Sequence, residues 1–346
     1  MELRFCTDKE VPLVMDFIKN YWSNTHILSR NRNLFDWQHK NKRTGLYDFA
    51  IAVNNGEIYG CLGVIRNSRY DIQLVNDDTV WLTTWKVRDD APAGLGLQLH
   101  SFVSKNLSYS WIGTVGNNSV VTSIYKALGY KTGMMKQFAT INPEIQNFQI
   151  IKLPGDTRHS STQLIGAPSI TLNYIERNTF DSIKPSTVPW LWDQFPVKSL
   201  AYFKSRYLEH PYYEYKIYSV EQNNVVFGLL VTRICEANNA RVLRIVDVRL
   251  RANLRGNLAT ALQQLLIKNG CECVDVYQID GSQGASFEDL GFFVVNSNSE
   301  ELIIPGYYEP FLQKNVAINW AIKCCKDDAY NLCKADADQD RPNQIG

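Results

Sequence analysis

One piece of this chain occurs twice, and that constrains its fold more than any other feature of its 346 residues. "NNSVVTSIYKALGY" at 117–130 and "DGSQGASFEDLGF" at 280–292 share an outline: a polar start, an apolar ridge at helical spacing and a Gly-aromatic ending. Gly94 stands 35 residues before Gly129, and Gly256 stands 35 residues before Gly291. The order upstream also repeats. In the first copy, "YDFAIAVNNGEIYGCLGVI" signals a hairpin at Asn55-Gly56. The strand "TVWLTTWKV", the helix "GLGLQLHSFVSKNL" and the strand "SWIGTVG" follow it. In the second copy, the hairpin "YEYKIYSVEQNNVVFGLLVTRI" leads to "ARVLRIVDVRL", "RGNLATALQQLLIKNG" and "CVDVYQI", with "SFEDLGF" expected as the closing helix. Gly60 and Gly228 hold matching places in the two hairpins.

A repeat this long predicts two domains of one fold rather than a solenoid. The expected class is mixed α/β, each domain a twisted sheet with helices on both faces. The length agrees, since single cores stop growing near ~250 residues. The expected division is 1–143, a polar, irregular linker over 144–189 that includes "NPEIQNFQIIKLPGDTRHSSTQ", and 190–346. At the start, "ELRF" reads as a strand and "TDKEVPLVMDFIKNYW" as a helix. Thr7 and Glu10 form its capping box, and Val11, Val14, Met15 and Ile18 its apolar stripe.

Composition narrows the function. An apolar fraction of 45% with 21% charged residues is that of an ordinary globular protein. A net charge of +1 argues against nucleic-acid or membrane-surface partners, which require clustered positive charge. "MELRFCTDKE" lacks the apolar core of a signal peptide, and the run "VVFGLLV" is too short to span a bilayer. The eight cysteines include no two Cys-x-x-Cys pairs, so no metal site is expected, and reduced thiols in a cytoplasmic protein are the plain reading.

The two copies differ where chemistry would occur. Free amides at a helix start attract an anion, and a pyrophosphate approaches them only where no Cβ projects. Gly94 and Gly96 leave that room in "APAGLG", whereas Leu258 is expected to obstruct the second copy. Tyr125 stands four residues before Gly129, and Phe287 takes the corresponding place before Gly291. A phenol can donate a proton near neutrality and a bare ring cannot. Tyr125 could also simply flank the apolar ridge of Val120, Ile124 and Leu128.

This order of elements resembles the GNAT superfamily of acyl-CoA-dependent N-acyltransferases. Its first signature is Gln/Arg-x-x-Gly-x-Gly/Ala. Ala91-Pro92-Ala93-Gly94-Leu95-Gly96 keeps both glycines and lacks the leading polar residue, while Asn253-Leu254-Arg255-Gly256-Asn257-Leu258 keeps one glycine. The second signature, Asn-x-x-Ala-x-x-Leu-Tyr-x-x-x-Gly-Phe, fits Asn118, Val121, Ile124, Tyr125, Gly129 and Tyr130, with conservative changes at three of the six. The resemblance implies one working domain and one degenerate partner. It implies an acetyl-CoA donor, with the backbone around Trp85 and Val87 holding its acyl and pantetheine part and the loop Ala93, Gly94, Leu95 and Gly96 its pyrophosphate. Asn118 would orient the cofactor, and Tyr125 would protonate the departing thiolate.

The acceptor is read from two further segments, "LFDWQHKN" at 34–41 and "KADADQDRPN" at 334–343. They resemble GNAT proteins of bacterial capsule and O-antigen clusters, which implies a nucleotide-linked amino sugar as acceptor. Asp336 and Asp338 could hold an ammonium or take its proton, and the Arg341 fork suits a phosphate. An acidic, solvated tail is the alternative. His39 is a candidate base and Trp37 its neighbour, against a surface or capping histidine. Two other readings of the whole chain remain: an aminoacyl transferase of the peptidoglycan-bridge type, using charged tRNA, and a non-catalytic CoA-binding or scaffold protein.

Overall fold

The computed structural model of the protein describes residues 1–154, 168–279, 285–324 and 330–343. The first half runs β1 (Glu2–Phe5), α1 (Val11–Tyr21), α2 (Ile27–Arg30), α3 (Arg32–His39), β2 (Phe49–Asn54), β3 (Glu57–Arg66), β4 (Thr79–Val87), α4 (Leu95–Asn106), β5 (Trp111–Asn117), α5 (Ser119–Ala127) and β6 (Lys131–Met134). There follow β7 (Lys136–Ile141), β8 (Thr171–Ile175), α6 (Leu200–Phe203), β9 (Lys216–Gln222), β10 (Val225–Ala237) and β11 (Ala240–Leu250). The chain then forms α7 (Leu258–Asn269), β12 (Cys271–Gln278), β13 (Phe293–Val295), the short ribbon β14 (Tyr307–Tyr308) and β15 (Phe311–Leu312), and β16 (Asn319–Cys324). Two seven-stranded mixed sheets result, ordered β1-β2-β3-β4-β5-β16-β6 and β13-β7-β12-β11-β10-β9-β8. Among the described residues no helix is long and apolar enough to cross a membrane.

The hairpin turns form where the sequence supplies residues that accept positive φ. Asn55 and Gly56 (φ 50 and 81°) join β2 to β3, Asn223 and Asn224 (52 and 61°) join β9 to β10, and Asn238 and Asn239 (50 and 58°) join β10 to β11. Two successive positive φ values match the right-handed twist of the flanking strands. At the start, the Thr7 amide and hydroxyl both donate to the Glu10 carboxylate, at 2.9 and 2.7 Å.

The sheets exchange strands. β16, late in the chain, lies between β5 and β6, pairing antiparallel with both. β7 leaves the first half after Met135 and pairs with β12 and β13 of the second sheet. The two sheets therefore do not divide at residue 143. A core of buried residues joins them: Ile65, Trp81, Trp111 and Ile322 of the first sheet pack with Leu229, Val231 and Val246 of the second, around Trp190, Tyr202 and Tyr207 of the connecting segment. Helices α1 to α3 cover the rest of that face of the first sheet, and α4 and α5 cover its other face.

Two expectations for the second copy change. Residues 285–292 form a turn rather than a helix, with Leu290 N donating to Ser286 O (3.2 Å) and Phe292 N to Phe287 O (3.0 Å). Residues 280–284 lie outside the described residues. The helices also register one residue away from the glycine spacing. Leu95, Leu99 and Val103 of α4 are buried, as are Leu258, Leu262 and Leu266 of α7. Leu258 thus corresponds to Leu95, not Gly96, and it points into the core instead of obstructing the loop.

Strand exchange leads to a prediction. A fragment ending at residue 143 loses β16 from between β5 and β6 and exposes Trp81 and Trp111, which are 1% and 0% exposed in the whole chain. Large buried side chains each contribute roughly 1.5–3 kcal/mol of burial free energy, enough to unbalance a domain of ordinary marginal stability. The fragment is expected to lack a cooperative thermal transition by near-ultraviolet circular dichroism. A sharp transition like that of the full chain would refute the coupling.

Candidate active site

The first sheet opens between its two parallel strands. β4 and β5 pair only over Thr79–Trp81 and Trp111–Gly113 and have no further ladder beyond that point. A bulge in β4 bends it away. Leu62 of β3 pairs with Trp85 and Val64 with Leu82, so Gly63 alone opposes Thr83 and Thr84. A Cβ on Gly63 would sit 2.6 Å from the Thr83 hydroxyl, so glycine is required there.

The resulting cleft holds a cavity of about 180 Å3. Trp85 from β4, Asn118 and Tyr125 from α5 and its cap, and Asp338 and Arg341 from the tail all line it. Three lining residues each carry a buried oxygen, Thr83 Oγ1, Thr84 Oγ1 and Asn117 Oδ1, without a hydrogen-bond partner among the described residues. Orphaned polar atoms in one cleft are what a polar ligand or ordered water would satisfy.

Tyr125 is 2% exposed, and its hydroxyl has no hydrogen-bond partner among the described residues. Its ring lies 5.7 Å from that of Trp85 and 4.9 Å from that of Tyr130. Burial pushes its pKa up, which keeps the phenol protonated across the neutral range. Behind it stands His100, stacked on Trp85 at 5.9 Å and hydrogen-bonded through Nε2 to the Tyr130 hydroxyl at 2.8 Å. Burial lowers the His100 pKa to about 4, so the ring is neutral at pH 7. Sequence reasoning missed His100. The signal for it is its position one turn beyond Gly96, on the buried face that α4 turns towards Tyr130. Asn118 accepts from Val121 N at 2.9 Å, which caps α5 and leaves its NH2 as the group available to a ligand.

The turn before α4 is open. Gly94 adopts φ +80°, and among the described residues no atom lies within 4 Å of where a Cβ would be and no side chain caps the helix. A Cβ on Gly96 would lie 3.4 Å from the Trp85 indole and 3.6 Å from Val87, joining the loop to the end of β4. Ala93 is exposed beside it and Leu95 is buried beneath. In the second copy the same helix end is closed. Asn257 Oδ1 accepts from Thr260 N (2.9 Å), Ala259 N donates to Leu290 O (3.0 Å), and a Cβ on Gly256 would meet Pro168 O at 2.5 Å. The second sheet's own opening, past Ile245 and Val276, is filled by the tail. Ile279 N donates to Leu332 O and Ala335 N to Val246 O.

The remaining candidates lie elsewhere. His39 is 0% exposed, with Nδ1 3.0 Å from Val64 O and its ring against Phe35 and Phe49. Burial lowers its pKa to about 3, and it cannot reach an acceptor. Trp37 lines a separate cavity of about 570 Å3 with Lys40, Arg66 and Arg69, and stacks edge-on against His210 at 4.5 Å. Asp336 is 1% exposed and pairs with buried Lys198 at 2.8 Å, which in turn holds Asp247 at 2.8 Å. The tail is therefore packed, not solvated.

With this geometry in view, the fold can be compared with solved structures. A GCN5-related N-acetyltransferase from Anabaena variabilis is similar with a TM-score of 0.54 at 9% identity, covering 94% of this chain and 73% of that one. One from Kribbella flavida is similar with a TM-score of 0.53 at 11% identity, covering 93% and 70%. A GCN5-related glucosamine N-acetyltransferase region in a fungal multidomain β-N-acetylglucosaminidase gives 0.51 at 11% identity, covering 93% of this chain and 38% of that one. No protein-family model and no curated protein sequence matches the chain. The fold is that of the GCN5-related acetyltransferases, in two tandem copies.

Proposed function

We propose that the protein is an acyl-CoA-dependent N-acyltransferase, moving an acetyl or short acyl group to the amine of a nucleotide-linked amino sugar. The observation that carries this reading is the opening between β4 and β5, where Trp85, Asn118 and Tyr125 converge beside an uncapped helix start. The residues present fit an acyl-CoA. Amides at the start of α4, around Ala93, Gly94, Leu95 and Gly96, would take the pyrophosphate. The free edge of β4 around Trp85 and Val87 would pair with the pantetheine amides, and Tyr125 would donate a proton to the leaving sulfur. Acetyl-CoA would supply the activated acyl group.

The amine would approach from the side walled by Asp338 and Arg341. The fungal neighbour, a glucosamine N-acetyltransferase region, supports an amino sugar as the acceptor class. An acyl-CoA donor and buried thiols fit a cytoplasmic setting.

The test is thiol release from acetyl-CoA in the presence of UDP-, dTDP- and GDP-linked amino sugars; absence of release with every amine would sink the enzymatic reading. A second prediction concerns the loop. A β-branched residue at φ +80° is strained, so Gly94→Val should weaken acetyl-CoA binding at least tenfold by calorimetric titration. Undiminished affinity would remove the loop from the donor site.

A further inference from the structure

The tail places three carboxylates two residues apart, and they do different work. Asp336 is held by Lys198 at 2.8 Å, and Asp340 by Arg233 at 2.9 Å and by the Tyr215 hydroxyl at 2.7 Å. Both anchors belong to the second half of the chain; Lys198 is 0% exposed and the Arg233 side chain 10%. Between them Ala337 adopts φ +60°, a conformation that a residue with a Cβ takes only when its surroundings impose it. The kink delivers Asp338 and Gln339 to the opening of the first sheet. Gln339 lies so close over Gly116 (φ +89°) that a Cβ there would overlap its amide. Gln339 also accepts from the Tyr307 hydroxyl at 3.1 Å.

Asp338 is 8% exposed. Its Oδ2 accepts from Arg341, which also contacts His26 Nε2 at 3.0 Å, while its Oδ1 has no partner among the described residues. It is the only carboxylate among the described residues lining the cavity, and no histidine lines it. An amine that reaches this cleft as an ammonium meets no other carboxylate and no imidazole among the described lining residues.

On the acyltransferase reading, we propose that Asp338 anchors the acceptor as a primary ammonium and is its proton acceptor. The second half thus supplies the acceptor side of an active site whose donor side belongs to the first. The carboxylate takes one proton from R-NH3+, leaving R-NH2, and passes it to water. The nitrogen lone pair forms the C–N bond at the thioester carbon, and Asp338 takes the second proton from the cationic nitrogen. The C–S bond breaks with its electron pair leaving on sulfur, which receives the Tyr125 proton; Tyr125 recovers that proton from Asp338 through solvent. Amine and thioester become amide and thiol, with no other reactant consumed.

Three measurements test this. Acetyl-CoA should raise the melting temperature of the wild type and of Asp338→Asn equally, since the donor side is untouched. Among glucosamine, UDP- and dTDP-amino sugars and their hydroxyl counterparts, only amines should release thiol from the wild type. With the best amine, Asp338→Asn should lose ~10²–10⁴ in kcat/KM, while Asp338→Glu should stay within about tenfold of wild type. If Asp338→Asn lacks a cooperative melt, Asp338→Ser takes its place. Full activity of a folded carboxylate-free variant overturns the proposal, as does thiol release with the hydroxyl sugars. Failure of the wild type to bind acetyl-CoA, or to release thiol with any amine, overturns the acyltransferase reading and the proposal with it.

Discussion

On the acyltransferase reading proposed above, Tyr125→Phe is expected to lower turnover by ~10²–10⁴ while leaving acetyl-CoA affinity unchanged, the range for losing a positioned general acid. The substitution removes one oxygen that has no hydrogen-bond partner among the described residues, so no buried partner is orphaned. The protein itself carries the control. Phe287 occupies the equivalent site in the second copy, 1% exposed and packed against Phe138 at 5.6 Å and Phe292 at 4.9 Å. Phe292 N closes on Phe287 O as Tyr130 N closes on Tyr125 O, both at 3.0 Å. A bare ring is thus compatible with this turn, and the variant should melt within a degree or two of wild type. Any rate loss then reports proton donation rather than folding. Burial makes the phenol a weaker acid than free tyrosine, so its proton is expected to move as the C–S bond breaks, not before. Steady-state thiol release measures the effect, and wild-type turnover would take Tyr125 out of the mechanism.

What the sequence revealed was local. Asn-Gly and Asn-Asn at the hairpins, the glycine before α4 and the Gly-aromatic ending each act through their own φ values, so they can be read residue by residue. The pairing partner of a strand is not written locally. "NWAIKC" and "KQFATI" have ordinary strand composition, yet β16 enters the first sheet and β7 the second, because pairing is decided by which edge is open. The tail misled for a similar reason. A run of aspartates resembles a solvated end until Lys198 and Arg233, more than 100 residues earlier, are brought alongside. Trp85, Asn118 and Tyr125 were named through the family resemblance, but the opening between β4 and β5 that they line was not read from the sequence. The burial of His39 and the place of His100 beside Tyr130 were not legible either, since both depend on helices packing across sheets.

Acidification below about pH 6 is expected to destabilise the fold steeply, through its histidines. Burial lowers the pKa of His26, His39 and His210 to about 3 and that of His100 to about 4. In the unfolded chain each would titrate near ~6.5. Above that value both states are neutral and nothing is lost. As pH falls from 6.5 towards 4, the unfolded chain binds protons that the folded chain refuses, so stability falls. Each such group contributes about 1.4 kcal/mol per pH unit, and four together approach ~5 kcal/mol per unit, against a total stability of ~5–15 kcal/mol. Asp48 and Asp78 oppose this, since burial raises their pKa and the folded state takes up their protons first. Their effect begins nearer the carboxylate range, below the upper part of the histidine window. Asp340, held down to about 2 by Arg233, adds its loss only below pH 4. The melting temperature should therefore be flat above pH 7 and drop by tens of degrees between pH 6.5 and 5. His39→Phe, whose ring would fill the same apolar space beside Phe35 and Phe49, should reduce that slope by roughly one proton. A melting temperature that is level from pH 7.5 to 5 would show that these histidines are protonated in the folded state and that the interior is wetter than its packing indicates.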